Sequence, residues 1–169
     1  MTEGDGNSTP TLIPGDVNEE LARFLEGGPD VEYHEYAFAL LSSRPFQTNE
    51  ERLICAAEQL QLCTFSSGLF SYFEIQSELA SSGIEAFNEL DLPEFANLVR
   101  RALELLALDD QASTSDIERA SHELVRVGLE KFLDEVEPLD LYVEENAPVL
   151  SRAISEYIRK NSAKLWRTP

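Results

Sequence analysis

Apolar residues recur every three or four positions along most of this chain, and the breaks fall at glycine, proline and serine–threonine clusters. That spacing is the signature of helices buried along one side. Val17, Leu21, Phe24 and Leu25 predict a first helix, opened by a capping box of Asp16 with Glu19 and closed by Gly27-Gly28-Pro29. Tyr33, Tyr36, Ala37, Leu40 and Leu41 predict a second over about 31–42, ended by Arg44-Pro45. Thr48 with Glu51 opens a third, which turns Leu53, Ile54, Ala57, Leu60 and Cys63 inward and reaches about Thr64.

After an interruption at Ser66-Ser67-Gly68, the aromatic stretch Leu69–Phe73 reads as helical and as core, with Phe65 beside it. A helix near 78–90 displays Leu79, Ile84, Phe87 and Leu90. Pro93 suits the first position of the next, where its missing amide costs nothing; Phe95, Leu98, Val99, Ala102, Leu103 and Leu106 form its inner face. Beyond a polar loop at 109–114, Ser115 with Glu118 predicts a third capping box and a helix to about Leu133. Residues 135–145 read as irregular and acidic, and a last helix starts near Pro148 with Leu150, Ile154, Tyr157 and Ile158 inward. No two-residue alternation marks a strand, and no internal repeat is visible. The expected fold is all-α, a single compact domain of about seven helices over 16–161, with a flexible arm at 1–15 and a basic tail at 162–169.

Composition fits a folded body. At 169 residues the chain can bury roughly two thirds of its unfolded surface, and 43% hydrophobic content is too apolar for a disordered acidic chain. Cys55 and Cys63, eight apart on a predicted helix, stand about 12 Å apart along its axis, beyond the roughly 7 Å a disulfide allows. They read as buried apolar side chains of a reducing compartment, taken as the cytoplasm. Neither a signal sequence nor a membrane-spanning run is read.

Charge changes the picture most. Thirty-two acids oppose thirteen bases, a formal charge of −19. The acid is spread along the chain and densest between Asp109 and Glu145; only the last nineteen residues reverse sign, with Arg152, Arg159, Lys160, Lys164 and Arg167 against Glu156. Cations in the last turn of a helix complement its dipole, a sufficient structural reason for that reversal. Trp166 lies among them, as a tail residue or a docking anchor. Such a charge argues against direct nucleic-acid or anionic-membrane binding, since each phosphate contact needs a cation, and for a cationic partner.

Catalytic equipment is sparse. His34 and His122 are the only histidines. Glu118 and His122 have the four-residue spacing that can set two metal ligands side by side, but that is also an ordinary surface pair of modest helix-stabilising value, the reading adopted. No calcium loop, phosphate-cradling loop or nucleophile elbow is present. No enzyme, metal or cofactor is read.

Two stretches, Leu60–Leu106 and Phe132–Asn161, carry a family pattern. Ser66-Ser67-Gly68-Leu69-Phe70-Ser71-Tyr72-Phe73 occupies a turn, followed by Pro93-Glu94-Phe95-Ala96 and Arg100-Arg101-Ala102-Leu103, then Leu133-Asp134, Leu141-Tyr142-Val143-Glu144 and Tyr157-Ile158-Arg159-Lys160-Asn161. The chain resembles the DMP19-like C-terminal domain family. In the turn, Gly68, Tyr72 and Phe73 keep the family type, whereas Ser66, Ser67, Leu69 and Ser71 replace its Asn, first Gly, Phe and Gln. The resemblance implies an all-α domain whose named member imitates duplex DNA with surface carboxylates and sequesters a DNA-binding protein.

Charge density agrees with that implication: at one charge per ~1.7 Å of duplex, nineteen net charges match about ten base pairs. The residues expected to face the partner are Asp109, Asp110, Asp116, Glu118, Glu130, Asp134, Glu135, Glu137, Asp140, Glu144 and Glu145. The expected function is a non-enzymatic acidic binding protein, a DNA mimic that sequesters a basic DNA-binding protein such as a transcription regulator. Alternatives are an immunity- or antitoxin-like protein neutralising a basic nuclease and, from a different class, a small carboxylate-rich metal-dependent hydrolase. A homodimer is left open.

Overall fold

Ten helices account for the secondary structure of the computed structural model, which describes residues 15–28 and 30–165. They are α1 Val17–Glu26, α2 His34–Ser42, α3 Asn49–Ser67, α4 Phe70–Ile75, α5 Ser77–Ala80, α6 Gly83–Glu89, α7 Pro93–Leu105, α8 Thr114–Val127, α9 Glu130–Lys160 and α10 Ser162–Leu165. The expected all-α class is found. The larger number of helices comes from splitting the predicted 78–90 helix at a turn through Ser81 and Ser82 and from the added four-residue α10. Residues 1–14 of the arm and 166–169 of the basic tail, Trp166 included, lie outside the described residues.

At the centre stands α3. Every residue from Leu53 to Leu60 is buried, because α2, α4, α5, α6, α9 and α10 all pack against it. Its start follows the sequence: the Thr48 hydroxyl accepts the Glu51 amide at 3.2 Å, although the Glu51 carboxylate returns to the amide of Gln47, at 2.8 Å, one residue earlier than a capping box requires. At α1, Asp16 does the capping alone, accepting the amides of Asn18 at 2.8 Å and Glu19 at 3.2 Å.

The third box is corrected by two residues. Ser113 and Asp116 cap α8 reciprocally, the Ser113 amide donating to Asp116 at 3.0 Å and the Asp116 amide to the Ser113 hydroxyl at 3.2 Å. The Ser-x-x-acid pattern occurs twice in overlap, and the earlier copy leaves Glu118 able to accept the Ser77 hydroxyl of α5 at 3.2 Å. The C-terminal end of α8 also differs from expectation. It stops at Gly128, whose φ of +123° favours glycine, rather than near Leu133.

The largest correction is α9. The supposedly irregular 135–145 stretch and the helix expected from Pro148 are one helix of 31 residues. Its buried stripe, Phe132, Val136, Val143, Leu150, Ile154 and Ile158, keeps helical spacing across both prolines. Pro138 and Pro148 are exposed, on the side away from that stripe. The Asp134 and Glu144 carbonyls they leave without an amide donor therefore lie on the solvent side, which limits a cost of roughly 3 kcal/mol for each buried interruption.

Two helix ends turn through a positive φ without a glycine. After α6 and α7 the chain turns through Asp91 (φ 56°) and Ala107 (φ 58°). Leu92 then donates to the Phe87 carbonyl at 2.8 Å and Leu108 to Leu103 at 2.9 Å, the hydrogen bonds of a Schellman motif. Both cysteines are free and buried, as expected. Phe70, Tyr72 and Phe73 are buried as well, whereas Phe65 is exposed.

Candidate functional site

The acidic positions singled out from sequence separate into two groups. Six are engaged within the molecule. Asp109 accepts the Gln111 amide at 2.9 Å, and Asp110 stands 3.6 Å from Arg100. Asp116 caps α8, and the Ser113 hydroxyl and amide hold its carboxyl below the usual range. Glu118 takes the Ser77 bond, and Glu135 stands 3.7 Å from Lys131. Asp140 points inward: its carboxylate accepts the Leu69 amide at 2.6 Å.

The other five are Glu130, Asp134, Glu137, Glu144 and Glu145. All are exposed, and none has an ion-pair partner among the described residues. At 100° per residue they fall within an arc of about 100° on α9, opposite the buried stripe. Glu130 to Glu145 covers fifteen rises of about 1.5 Å, hence about 22 Å. One strand of B-DNA places about seven phosphates along that length, at 3.4 Å each; the arc places five carboxylates. Arg152 follows on the same side, where the acidic run ends.

The field of this arc is felt at Asp140. Burial raises its carboxyl above the usual range, the Leu69 amide pulls it down, and Glu144 and Glu137 push it up again. Asp140 nevertheless serves the fold. It holds the turn at Gly68, whose φ of 87° and ψ of 160° suit glycine alone. The three positions that keep the family type in this turn are accordingly structural: Gly68 for that backbone, Tyr72 for a buried hydroxyl donating to the Ala56 carbonyl at 2.9 Å, and Phe73 for the core.

A second polar cluster escaped sequence reasoning. Glu58, 2% exposed, accepts hydrogen bonds from the Tyr33 hydroxyl and from His34 Nδ1, the latter at 2.7 Å. The hydrogen bond to Glu58 raises the His34 pKa, against the lowering effect of burial; burial first, then Glu58, pushes the Tyr33 phenol up. The available clue was a glutamate in the middle of a helix, directly after the apolar run Leu53–Ala57. The cluster ties α2 to α3. Arg159, part of the basic end of α9, lies 4.3 Å from the ring centroid of Phe24 and ties α1 to α9.

Glu118 and His122 are both exposed, and among the described residues no three His, Cys, Asp or Glu side chains stand close enough to share a metal ion. Clefts of about 240, 250 and 290 Å³ open on the surface, below the roughly 300–1,000 Å³ of ordinary small-molecule sites. Among the described residues no helix is long and apolar enough to cross a membrane.

Comparison with protein families decides the kinship: the model described as DMP19-like protein matches residues 47–161. The chain belongs to the DMP19-like family. The match begins before the stretch that carries the resemblance and covers α3 through α9, so the acidic arc and the Gly68 turn both lie in the DMP19-like segment, while α1 and α2 lie outside it. None of the curated proteins and none of the solved structures compared with the chain matches it.

Proposed function

We propose that the protein is a non-enzymatic DNA mimic that sequesters a basic DNA-binding protein, such as a transcription regulator. The observation that carries this reading is the arc of five carboxylates on one helix, none with an ion-pair partner among the described residues, at a linear density close to that of a single DNA strand. Membership of the DMP19-like family supports it. A helix fixed by a buried stripe carries its charges without the ordering cost of a flexible acidic tail. A basic groove-binding surface meets it with fast, salt-sensitive association. The binding set is narrower than the acidic positions as a whole: Glu130, Asp134, Glu137, Glu144 and Glu145 act on the partner, and the six engaged acids serve the fold or are neutralised.

The test is capture from a cell extract of the native host at low salt, followed by elution with a salt gradient. A basic DNA-binding protein eluting at intermediate salt, and lost with Glu137→Lys/Glu144→Lys, is the expected outcome. Recovery of no such protein would sink the reading. A basic nuclease in its place would favour an immunity-like role over a regulator decoy.

A further inference from the structure

The outer face of α9 is not purely acidic. Leu141 stands inside the arc, 50% exposed, one turn from Glu137, Glu144 and Glu145. Leu133, 46% exposed, lies one turn before Glu137. Phe65 of α3 is 55% exposed. The Ser151 hydroxyl donates to Gln61 at 3.3 Å and the Leu69 amide to Asp140 at 2.6 Å, so α3 and α9 run antiparallel. Phe65, four residues from both Gln61 and Leu69, therefore lies alongside the α9 segment between Asp140 and Ser151, which carries Glu144. A row of phosphates has no counterpart to these side chains, and a partner that read charge alone would gain nothing from them.

We infer that the occupant of this face is an amphipathic basic helix of the partner. Its Lys and Arg side chains meet Glu137, Glu144 and Glu145, and its apolar stripe, at three- and four-residue spacing, covers Leu141, Leu133 and Phe65. The inference rests on the DNA-mimic reading for the partner's charge and adds the apolar stripe. Charge complementarity selects this occupant over a second copy of the chain, which would bring unpaired carboxylates against their own kind.

Two helical peptides of about five turns, equal in lysine content, test it: one carries leucine at three- and four-residue spacing, the other glutamine at those positions. Each is titrated into the full chain by fluorescence anisotropy across a salt series. The leucine peptide should bind at least about tenfold tighter, in proportion to the apolar area it removes from water, and should keep a residual affinity at high salt. Phe65→Ser/Leu141→Ser should abolish that advantage with an unchanged thermal melt, since both side chains are exposed, while Glu137→Lys/Glu144→Lys should weaken both peptides. Equal binding of the two peptides, unaffected by the serine variant, overturns the inference and leaves the charge reading standing. Failure of both to bind overturns the two together. A dimer in sedimentation that the serine variant dissolves would assign the face to a second copy and likewise overturn it.

Discussion

Replacing Asp140 separates its structural role from the charge it adds to the surface. Its carboxylate oxygen lies 2.6 Å from the amide of Leu69, a residue with no solvent exposure. Asp140→Ala removes the acceptor and leaves that amide buried and unpaired, which costs about 1–3 kcal/mol. For a chain of this length each kcal/mol corresponds to about 2–4 °C in melting temperature. Asp140→Asn keeps a carbonyl oxygen in place and removes a charge that burial, Glu144 and Glu137 all disfavour. Its stability at neutral pH should equal or exceed wild type. The sign follows from the raised carboxyl: the folded state prefers the protonated acid, so the stabilisation is present below the unfolded pKa and is lost as pH rises through the folded one. The advantage of Asp140→Asn over wild type should therefore grow from acid to neutral pH. Urea unfolding followed by circular dichroism reads both variants. An alanine variant as stable as wild type, or an asparagine variant as damaged as alanine, would refute the assignment of Asp140 to the turn.

Other positions give equally direct tests. His34 has a raised pKa in the fold through its bond to Glu58, so its stabilisation is complete below its unfolded pKa and fades as pH climbs through the folded value. His34→Gln should flatten the fall in stability between mildly acidic and mildly alkaline pH, and an unaltered pH profile in urea unfolding would count against the Glu58 tie. Gly68→Ala forces a side chain onto a glycine-only backbone and should cost about 1–3 kcal/mol; a melting temperature equal to wild type would contradict the turn geometry. Ala107→Gly should do the reverse and stabilise by about 1 kcal/mol by relieving a positive φ at the end of α7, and a lower melting temperature would argue against it.

How much of this was legible in the sequence depended on whether the deciding signal was local. The buried faces of α1, α3 and α7 follow from apolar spacing, and Asp16, Thr48 and Pro93 mark their starts because capping acts within one turn. The acidic stretch at 135–145 reads locally as irregular, yet the stripe from Phe132 to Ile158 packs on α3 and α7 and outweighs that local preference. Asp91 and Ala107 end helices through positive φ without the glycine that would have announced it. At the candidate site, composition located the acidic region, and only the fold could sort it. A carboxylate caps a helix at Asp116, braces a turn at Asp140 and, among the described residues, stands without an ion-pair partner at Glu144. Nor could spacing join Tyr33 and His34 to Glu58, which lies a whole helix away in the chain.

Mimicry makes one demand that simple acidity does not: the protein and the duplex must exclude each other on the partner. The most direct measurement is displacement of a labelled duplex from the basic protein recovered by low-salt capture, titrated with the wild-type chain and with Glu137→Lys/Glu144→Lys. DNA mimicry predicts stoichiometric release of the duplex by wild type and little or none by the variant. A ternary complex in which the duplex stays bound, or equal release by both proteins, would contradict it.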